Sequence, residues 1–460
     1  MKAIDMNAAR MRCVAAALGA LALAGCAGPA PDGGLGEVST LAAQRIGQPV
    51  KLDASSREAA EEQVAQLLAQ PLTADSAVQL ALMNNPGLKA SLGELGVAGS
   101  ELVQAGRLRN PSIGFGRIGN GADKEIDRSV IFDLAGLLTM PVRVNIEQRR
   151  FEQAKLNAAA QVLRLASETR QAYFVAVAAA QSAAFADQVR GAAEASSELA
   201  ERMSRTGNWS KLDQARERAF FDDALTQQAR ARHEAVASRE QLARLLGLWG
   251  DRPAFTLPDR LPELPAAPLE PQNAEGSALA QRLDVLAARR DAEASAASLG
   301  LTRTTRFINV FEAGYANKSA SGEPRANGYE VTLELPLFDW GGARVARAEA
   351  LYMQSVHRTA DVAVRARSEV REAYSAYRTN YDIARHYRDQ VVPLRKQISD
   401  EVLLRYNGML ASVFELLADA RDQLNAVNAA IEAQRDFWLA EARLQDAMHG
   451  GANKEQGAAQ

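Results

Sequence analysis

The sequence predicts a mostly α-helical protein that also contains a membrane β-barrel segment and is built from one structural unit used twice. Helix-forming residues run without a proline from Val142 to Gly250, which predicts very long helices. The halves of the chain on either side of residues 251–273 show the same order of patterns, as expected for a duplicated unit. Short runs in each half alternate apolar and polar residues, the period of a strand with two different faces.

The first 25 residues have the features of a secretory signal peptide. Positive charge at Lys2, Arg10 and Arg12 precedes a short apolar run that ends at Leu23. That run is too short to span a bilayer as a helix, so we interpret residues 1–25 as a removable signal.

Cys26 is the candidate lipidation site. The stretch "LAGC" that ends at Cys26 resembles the bacterial lipobox, in which the cysteine receives the lipid and becomes the first mature residue. Ala27 resembles the residue found there in lipoproteins sorted to the outer membrane. The alternative interpretation is an ordinary signal peptide with an incidental cysteine. The only other cysteine is Cys13, inside the signal, so we expect no disulfide within the chain.

Composition argues against several function classes. The formal net charge is −3, and no basic surface indicates nucleic acid as a partner. The four histidines are scattered without metal-ligand spacing, and no Walker loop or nucleophile elbow occurs. We therefore predict no cofactor, no metal site and no catalytic residue.

A tether is predicted for residues 26–70, behind the lipid. Residues 27–48 are rich in Gly, Pro and Ala, which favours an extended conformation. A helix is expected over about residues 58–69.

The first repeat is predicted to occupy residues 71–250. A helix is expected to begin at Thr73, a good N-cap, and to resume after Pro86 until the "RNP" stretch ends it. Two strands follow, at about 112–119 and 128–135. We expect no further helix until after Pro141, from which one long helix runs to about Thr206. A returning helix is predicted over about 211–246.

The second repeat is predicted to occupy residues 274–449, after a Pro-rich linker over 251–273 and before a tail of residues 450–460. It contains a helix over 274–305, strands at about 306–315 and 329–338, a long helix to about Tyr406 and a returning helix. An offset of 201 superposes Tyr173 on Tyr374 and Gly207 on Gly408. Each long helix of some 65 residues spans roughly 100 Å, and two half-helices stacked end to end match that length.

The strands predict a membrane location. In "YEVTLELPLF" the polar residues Glu330, Thr332 and Glu334 lie on one face, and the other face carries Tyr329, Val331, Leu333, Leu335 and Leu337. This is the alternation of a transmembrane β-barrel. One chain supplies four strands, which leave open edges that lipid does not tolerate. Three copies would supply twelve strands and a polar lumen. A four-stranded sheet packed on helices remains the alternative.

The stretch "GFGRIG", Gly114–Gly119, fits the spacing of a dinucleotide-binding turn. That motif requires a preceding strand and a helix that starts within it, whereas here a helix ends before it and a second strand follows. We interpret these glycines as part of the first strand. Phe115 is predicted to lie opposite Gly114 and Gly116 and to face lipid.

Four stretches resemble the TolC-like outer-membrane efflux proteins over nearly all of residues 71–448. They are "LTADSAVQLALMNNPGLKA", "QAGRLRNPSI", "VTLELPLFDWGGAR" and "LLRYNGMLASVFELLADARDQL". The chain departs from the family in two places. Only Asn407 separates Arg-Tyr from the tip glycine, where the family usually has two residues. The first repeat has "LAGLLTMPVR" in place of "PLFDWGG".

The resemblance implies a homotrimer with a twelve-stranded barrel in the outer membrane that continues into a long α-helical periplasmic tunnel. Such proteins are passive exit ducts. They dock on a periplasmic adaptor (membrane fusion) protein that couples them to an inner-membrane pump, here expected to be of the RND type. The resemblance thus implies an efflux channel for small molecules or metal ions, anchored by lipid in the cell outer membrane and extending into the periplasm.

The two helix-to-helix turns map onto the tips that meet the adaptor. The candidate docking residues are Arg205, Gly207, Asn208, Trp209, Arg405, Tyr406, Asn407 and Gly408. Gly207 and Gly408 are expected to supply the positive φ that a tight turn needs. The two arginines have a second interpretation, as charges that complement the C-terminal ends of their helices.

Two other functions stay open. One is an exit duct for a type I protein secretion system, and the other is a non-channel coiled-coil lipoprotein scaffold. Asp213, Asp419 and Asp422 lie near the tips, where they are either gate residues or members of solvated helix faces. Tyr374, Tyr377, Tyr381 and Tyr387 lie near one helix face, which indicates helix packing more than a cation site.

Overall fold

The structure, a computed structural model, describes residues 32–52, 57–121, 123–249, 255–308 and 310–450. It divides into two compact units. The strand unit comprises residues up to Val38, 91–158 and 284–363. The helical unit comprises residues 39–90, 159–283 and 364 onward. Several helices contribute residues to both units.

The first half of the chain forms six helices and two strands within the described residues. They are α1 (Leu35–Ile46), α2 (Arg57–Leu68), α3 (Ala74–Asn84), α4 (Pro86–Ala105), β1 (Ser112–Asn120), β2 (Asp123–Asp133), α5 (Leu134–Arg205) and α6 (Lys211–Leu245). Thr73 caps α3 as predicted: its hydroxyl accepts the Ser76 N–H at 3.1 Å, and the Ser76 hydroxyl accepts the Thr73 N–H. The 72 residues of α5 span roughly 100 Å at 1.5 Å per residue.

The second half repeats the order of α3 to α6, except that one π-helical turn interrupts its long helix. Its elements are α7 (Ala274–Gln281), α8 (Leu283–Thr305), β3 (Phe311–Ala320), β4 (Ala326–Leu333), α9 (Gly342–His386), a π-helical turn (Tyr387–Val391), α10 (Val392–Asn407) and α11 (Val413–His449). The single helix expected over 274–305 is broken at Arg282, where the backbone is extended. The Arg282 side chain is buried, and its guanidinium donates to the Ala447 carbonyl at 2.9 Å.

Three of the predicted strands are displaced in the structure. β2 begins at Asp123 rather than 128, β3 runs over Phe311–Ala320 rather than 306–315, and β4 ends at Leu333 rather than 338. The predicted strands of each pair are separated by a polar stretch, "NGADKEID" or "NKSASGEPRANG", but most residues of these stretches belong to the strands in the structure. The polar side chains of these stretches lie at the end of the sheet nearest the strand turns.

Two helices differ from the sequence-based prediction. The long helix starts at Leu134 and runs through Pro141, because the Asp133 carboxylate accepts the Gly136 N–H at 2.7 Å and caps an earlier start. The region expected to be extended over 27–48 contains α1. There the Asp32 carboxylate accepts the N–H groups of Gly34 and Gly36.

The difference in residue number between equivalent positions of the two repeats changes along the chain. Tyr173 and Tyr374 lie 201 residues apart, whereas the N-caps of the returning helices, Ser210 and Ser412, lie 202 apart. The π-helical turn over Tyr387–Val391 lies between these two points. A π-helical turn holds one extra residue in an α-helix, so it accounts for the change of offset.

The helical unit is held together by small side chains. Eight positions of α5 recur at the three- and four-residue spacing of an apolar helix face, and seven of them are buried: Val162, Leu165, Ala166, Thr169, Ala172, Tyr173 and Ala176, with Ala180 half-buried. The Tyr173 hydroxyl donates to the Leu72 carbonyl at 3.0 Å, and burial raises the Tyr173 pKa to about 12. The small alanine side chains allow the helices to approach closely. The buried ring of Tyr173 contributes a large apolar surface to the same contact.

The C-terminal end of α6 abuts the junction of α3 and α4. The Asn84 amide donates to the carbonyls of Leu246 and Gly247, and the Asn85 amide donates to that of Leu245. These bonds satisfy carbonyls that a helix end otherwise leaves without partners. The half-helices of the first repeat therefore meet at Asn84–Asn85.

Among the described helices, none combines the length and apolar character that a bilayer span requires.

Candidate functional sites

The four strands form one antiparallel sheet in the order β1-β2-β3-β4. β1 and β4 are its two edges, and each pairs with a strand on one side only. Residues opposite each other in the register share a face of the sheet. The register therefore assigns each strand residue to one of two faces.

The first face, called here the apolar face, carries the aromatic and branched side chains. Its apolar members are Ile113, Phe115, Ile126, Val130, Phe132, Phe311, Tyr315, Tyr329, Val331 and Leu333. Many are well exposed, including Ile113 at 80 % and Tyr329 at 92 %. Phe115 lies on this face, opposite the face that holds Gly114 and Gly116, as the sequence predicted.

The apolar face changes character at one level across all four strands. One cross-strand row consists of Ile113, Val130, Tyr315 and Tyr329, and the next consists of Phe115, Arg128, Asn317 and Asn327. Arg128 donates to the Asn317 side-chain oxygen at 3.2 Å, and the Asn317 amide donates to that of Asn327 at 2.7 Å. An apolar band with an aromatic border is the surface that a lipid-facing strand presents.

The second face, called here the acidic face, is polar. It carries Asp123, Glu125, Asp127, Asp133, Glu312 and Glu330, together with small residues and two isoleucines, Ile118 and Ile131. Its one strand cation is Lys318, whose ammonium lies 3.5 Å from Glu125 and 3.7 Å from Asp127. Exposed carboxylates on this face require contact with water.

The turn of the first helical hairpin follows the prediction. The Asn208 N–H donates to the Met203 carbonyl and the Gly207 N–H to that of Ser204, the two bonds of a Schellman motif. Gly207 has φ +78°, the left-handed conformation that glycine adopts without a steric penalty. The Ser210 hydroxyl then accepts the Asp213 N–H and begins α6.

The second turn corrects the prediction for Gly408. The same two bonds run from Leu410 to Arg405 and from Met409 to Tyr406, so Met409 is the equivalent of Gly207. Met409 has φ +59°, whereas Gly408 has φ −80°. The expected equivalence of Gly207 with Gly408 is wrong by one residue, because the π-helical turn lengthens the second repeat.

An aromatic stack joins the two turns. The rings of Trp209 and Phe414 lie 4.7 Å apart between centroids at an interplanar angle of 12°. Trp209, one of the candidate docking residues, is half-buried. The exposed apolar residues of the second turn are Met409, at 94 %, and Leu410, at 82 %.

The polar candidate residues of the turns are exposed. Arg205 forms an ion pair with Glu201 at 2.7 Å, and Arg405 forms one with Glu401 at 2.9 Å, each within its own helix. Asn208 donates to the Thr206 hydroxyl at 3.3 Å. Asn407 is exposed and Tyr406 half-buried. The guanidinium groups thus remain accessible although each has a carboxylate partner.

A buried polar cluster that the sequence did not reveal lies near the turns. Glu217 of α6 is 2 % exposed and accepts from the Ser196 hydroxyl at 2.6 Å and from the Arg421 guanidinium. The Arg421 guanidinium also lies 4.3 Å from the ring centre of Phe220. The cluster links α5, α6 and α11, so it ties the two hairpins together. No sequence motif marks it, since single charges on long helices are usually solvated.

The three aspartates near the turns have different environments. Asp213 belongs to the cap of α6, and Asp422 is exposed and pairs with Arg395 at 3.0 Å. Asp419 is buried rather than part of a solvated face.

The tyrosines of α9 serve in helix packing. Tyr377 and Tyr381 are buried against Phe437. The Tyr381 hydroxyl donates to the Pro265 carbonyl at 3.1 Å, and the Leu269 N–H donates to the Tyr377 hydroxyl at 2.9 Å. These bonds also hold the Pro-rich segment against the helix.

Cys26 lies outside the described residues. Within the parts of the chain that the structure describes, no group of three or more His, Cys, Asp or Glu side chains is arranged to hold a metal ion.

The four-stranded sheet, the long helices and the duplicated order of elements form a fold that is known from solved structures. No protein-family profile matches the chain, and no curated protein is significantly similar to it in sequence. Solved structures are similar. CusC, in a study of its folding and transmembrane channel formation, has a TM-score of 0.69 and 19 % identity, over 85 % of this chain and 92 % of that chain.

Two further structures have the same fold. The outer membrane protein VceC of Vibrio cholerae has a TM-score of 0.66 and 18 % identity, over 84 % of this chain and 97 % of that chain. The outer membrane channel MtrE of Neisseria gonorrhoeae, in its open state, has a TM-score of 0.68 and 18 % identity, over 82 % and 89 %. The sequence-based resemblance to TolC-like outer-membrane proteins is therefore confirmed at the level of the fold.

Proposed function

We propose that the chain is the subunit of an outer-membrane exit duct, a non-enzymatic channel that conducts small molecules or metal ions out of the cell. The observation that carries this proposal is the four-stranded sheet, which has an apolar face, an acidic face and two open edges. Such a sheet is complete only when its edges pair and its apolar face meets lipid.

Three copies satisfy these requirements. Pairing β4 of one copy with β1 of the next gives twelve strands, closes the edges and encloses the acidic faces around a water-filled lumen. The similar structures include the channels CusC and MtrE, which supports the same arrangement here.

The helical hairpins carry the proposed contacts with partner proteins. The exposed turns at Gly207 and Met409 are the proposed docking surface for a periplasmic adaptor, which connects the duct to an inner-membrane pump of the RND type. Lipid attached to Cys26 is proposed to anchor the chain in the outer membrane. The resemblance to the efflux proteins supports these assignments.

The test is purification of the full chain from bacterial membranes in detergent. We expect a trimer on an unheated gel that becomes a monomer after heating, and stepwise ion conductance in planar bilayers. A Cys26→Ser variant is expected to lose labelling by radioactive palmitate and to keep the conductance. A soluble, monodisperse monomer from that variant, without conductance, would contradict the channel and favour the lipoprotein scaffold.

A further inference from the structure

Three cations lie together on the apolar face of the sheet, at the end nearest the strand turns. Arg117 of β1 lies directly opposite Ile126 of β2, and Lys124 and Arg128 are the next residues on the same face on either side of Ile126. Diagonal neighbours in an antiparallel pair are roughly 7–8 Å apart. The three side chains therefore surround one point on the surface, and all three are exposed.

The carboxylates of the strands all lie on one face, and three of the four strand cations lie on the other. The strand carboxylates lie on the acidic face, and of the strand residues on the apolar face Arg117, Lys124 and Arg128 are the charged ones. Lys318, on the acidic face, has two carboxylate neighbours. Among the described residues, no carboxylate forms an ion pair with Arg117, Lys124 or Arg128. The three cations thus present uncompensated positive charge just beyond the apolar rows, where their neighbours on this face include Ile126, Asn317 and Ser319.

The position of the three cations on the apolar face places them at the level of lipid headgroups. The apolar rows end at Tyr315 and Tyr329, and the cations begin in the adjoining row, with Arg128 beside Phe115. Aromatic rings at such a border lie at the level of lipid headgroups. Long basic side chains beyond it extend their charge toward those headgroups. The cluster is therefore placed where a lipid presents its polar group.

The chemistry of the cluster selects phosphate. Two guanidinium groups and an ammonium match the oxygens of a phosphate ester through charge-assisted hydrogen bonds, and arginine donates two in parallel. Basic sites at the border of a membrane protein bind anionic headgroups in this way. In the orientation of the proposed channel, the strand turns face the outside of the cell, so the lipid belongs to the outer leaflet.

We propose that Arg117, Lys124 and Arg128 form a binding site for the phosphate group of a phosphorylated lipid in the outer leaflet of the outer membrane. The site rests on the proposed function, because it requires the apolar face to contact lipid. Each chain carries one such site, so a trimer holds three phosphorylated lipids around its rim.

The test measures binding of two glycolipids to the full-length trimer in detergent by native mass spectrometry. The first probe is lipid A with two phosphates, and the second is the same glycolipid after removal of both phosphates. The test variant is the double substitution Arg117→Gln/Lys124→Gln, which leaves the Arg128–Asn317 hydrogen bond intact. The matched control is Arg325→Gln, an exposed cation in the β3–β4 turn.

We expect the wild type and Arg325→Gln to bind the phosphorylated probe at least tenfold more tightly than the dephosphorylated one. The double variant is expected to lose that preference and to bind the dephosphorylated probe as the wild type does. Equal binding of both probes by the wild type, or an unchanged preference in the double variant, overturns the site. Full displacement of the phosphorylated probe by inorganic phosphate at millimolar concentration also overturns it, in favour of a free anion.

Ion conductance of the same preparations separates this proposal from the proposed function. Wild-type trimers that conduct ions and show no phosphate preference refute the lipid site alone. A wild type that neither forms a trimer nor conducts ions refutes the channel, and with it the lipid site.

Discussion

The indole of Trp209 lies flat against the ring of Phe414, with 4.7 Å between the centroids and 12° between the planes. Trp209 belongs to the first hairpin turn and Phe414 to the first turn of α11. Two aromatic rings therefore hold the ends of the two hairpins side by side.

Trp209→Ala is expected to loosen both turns. Loss of a stacked aromatic pair is worth about 0.5–1.5 kcal/mol, which corresponds to a roughly two- to tenfold larger population of the locally open state. The measurement is the rate of trypsin cleavage after Arg205 under conditions in which opening is fast. Phe414→Ala should give the same increase, and the double variant no more than either. Trp249→Ala, at a 96 % exposed ring, is the control and should leave the rate unchanged.

Alanine substitutions should distinguish the two glycines. Gly207→Ala places a Cβ in a left-handed conformation and should destabilise its hairpin by about 1 kcal/mol. Gly408→Ala should have almost no effect, since Gly408 has φ −80°. Met409→Gly should stabilise the second hairpin by a similar amount. The melting midpoint by circular dichroism is the measurement, and a greater loss from Gly408→Ala would contradict the assignment of Met409.

Glu217→Gln should destabilise the helical unit by about 1–3 kcal/mol, because it leaves the Arg421 guanidinium without its carboxylate. Replacing Glu217 and Arg421 together by Leu and Met should recover most of the loss. The exposed pair of Arg218 and Asp222 is the control, and Arg218→Ala should change stability by less than about 1 kcal/mol. Chemical denaturation in detergent measures each change. A double replacement as harmful as the single one would show that the cluster has a role besides charge neutralisation.

Lysine substitutions at neighbouring residues test which face meets lipid. Val331 lies on the apolar face and Thr332 on the acidic face of the same strand. Val331→Lys should reduce the heat-modifiable trimer in outer-membrane fractions, since a lysine on the lipid side of a barrel costs about 2–4 kcal/mol near the midplane. Thr332→Lys should insert normally and shift the channel's selectivity toward anions. The reverse pattern would mean that the faces are exchanged.

Acid should weaken the contact between α5 and α6 at Asp187. The Gln228 amide donates to this carboxylate at 2.7 Å and Arg232 lies beside it, and these bonds lower the Asp187 pKa below 3.8. A lowered pKa contributes stability above the unfolded value, and that stability is lost as the pH falls through the folded pKa. The melting difference between wild type and Asp187→Asn should therefore be constant above about pH 5 and should shrink below pH 3.8. A constant difference down to pH 2 would contradict this account.

The repeated elements and the two faces of the sheet were predictable from the sequence, because period and turn chemistry are local properties. The Thr73 cap, the interior positions of α5 and the opposition of Phe115 to Gly114 all follow from spacing alone. The predicted strand ends were displaced because polarity was taken as the mark of a loop. Lys124 and Asn317 are polar, but both lie within strands, near the turns. Asp133 lengthens α5 past Pro141 by a side-chain bond that no periodic pattern contains.

The contacts between distant segments were not predictable. Glu217 and Arg421 lie 204 residues apart in the chain, and neither belongs to a pattern that pairs it with the other. The position of the left-handed residue at the second turn was missed for a different reason. A single extra residue is invisible in a helix-forming sequence, and only the backbone of Tyr387–Val391 reveals it.

That extra residue has a consequence for any ring of three chains. With identical repeats, the six hairpin ends of the proposed trimer would be equivalent and would form a pseudo-sixfold crown. Instead, three ends present the hydrophilic sequence Thr206-Gly207-Asn208, and three present Met409 and Leu410 to solvent. Polar and apolar hairpin ends therefore alternate around the proposed ring. A partner that binds all six ends needs two kinds of contact in alternation, or two distinct binding modes of one protein.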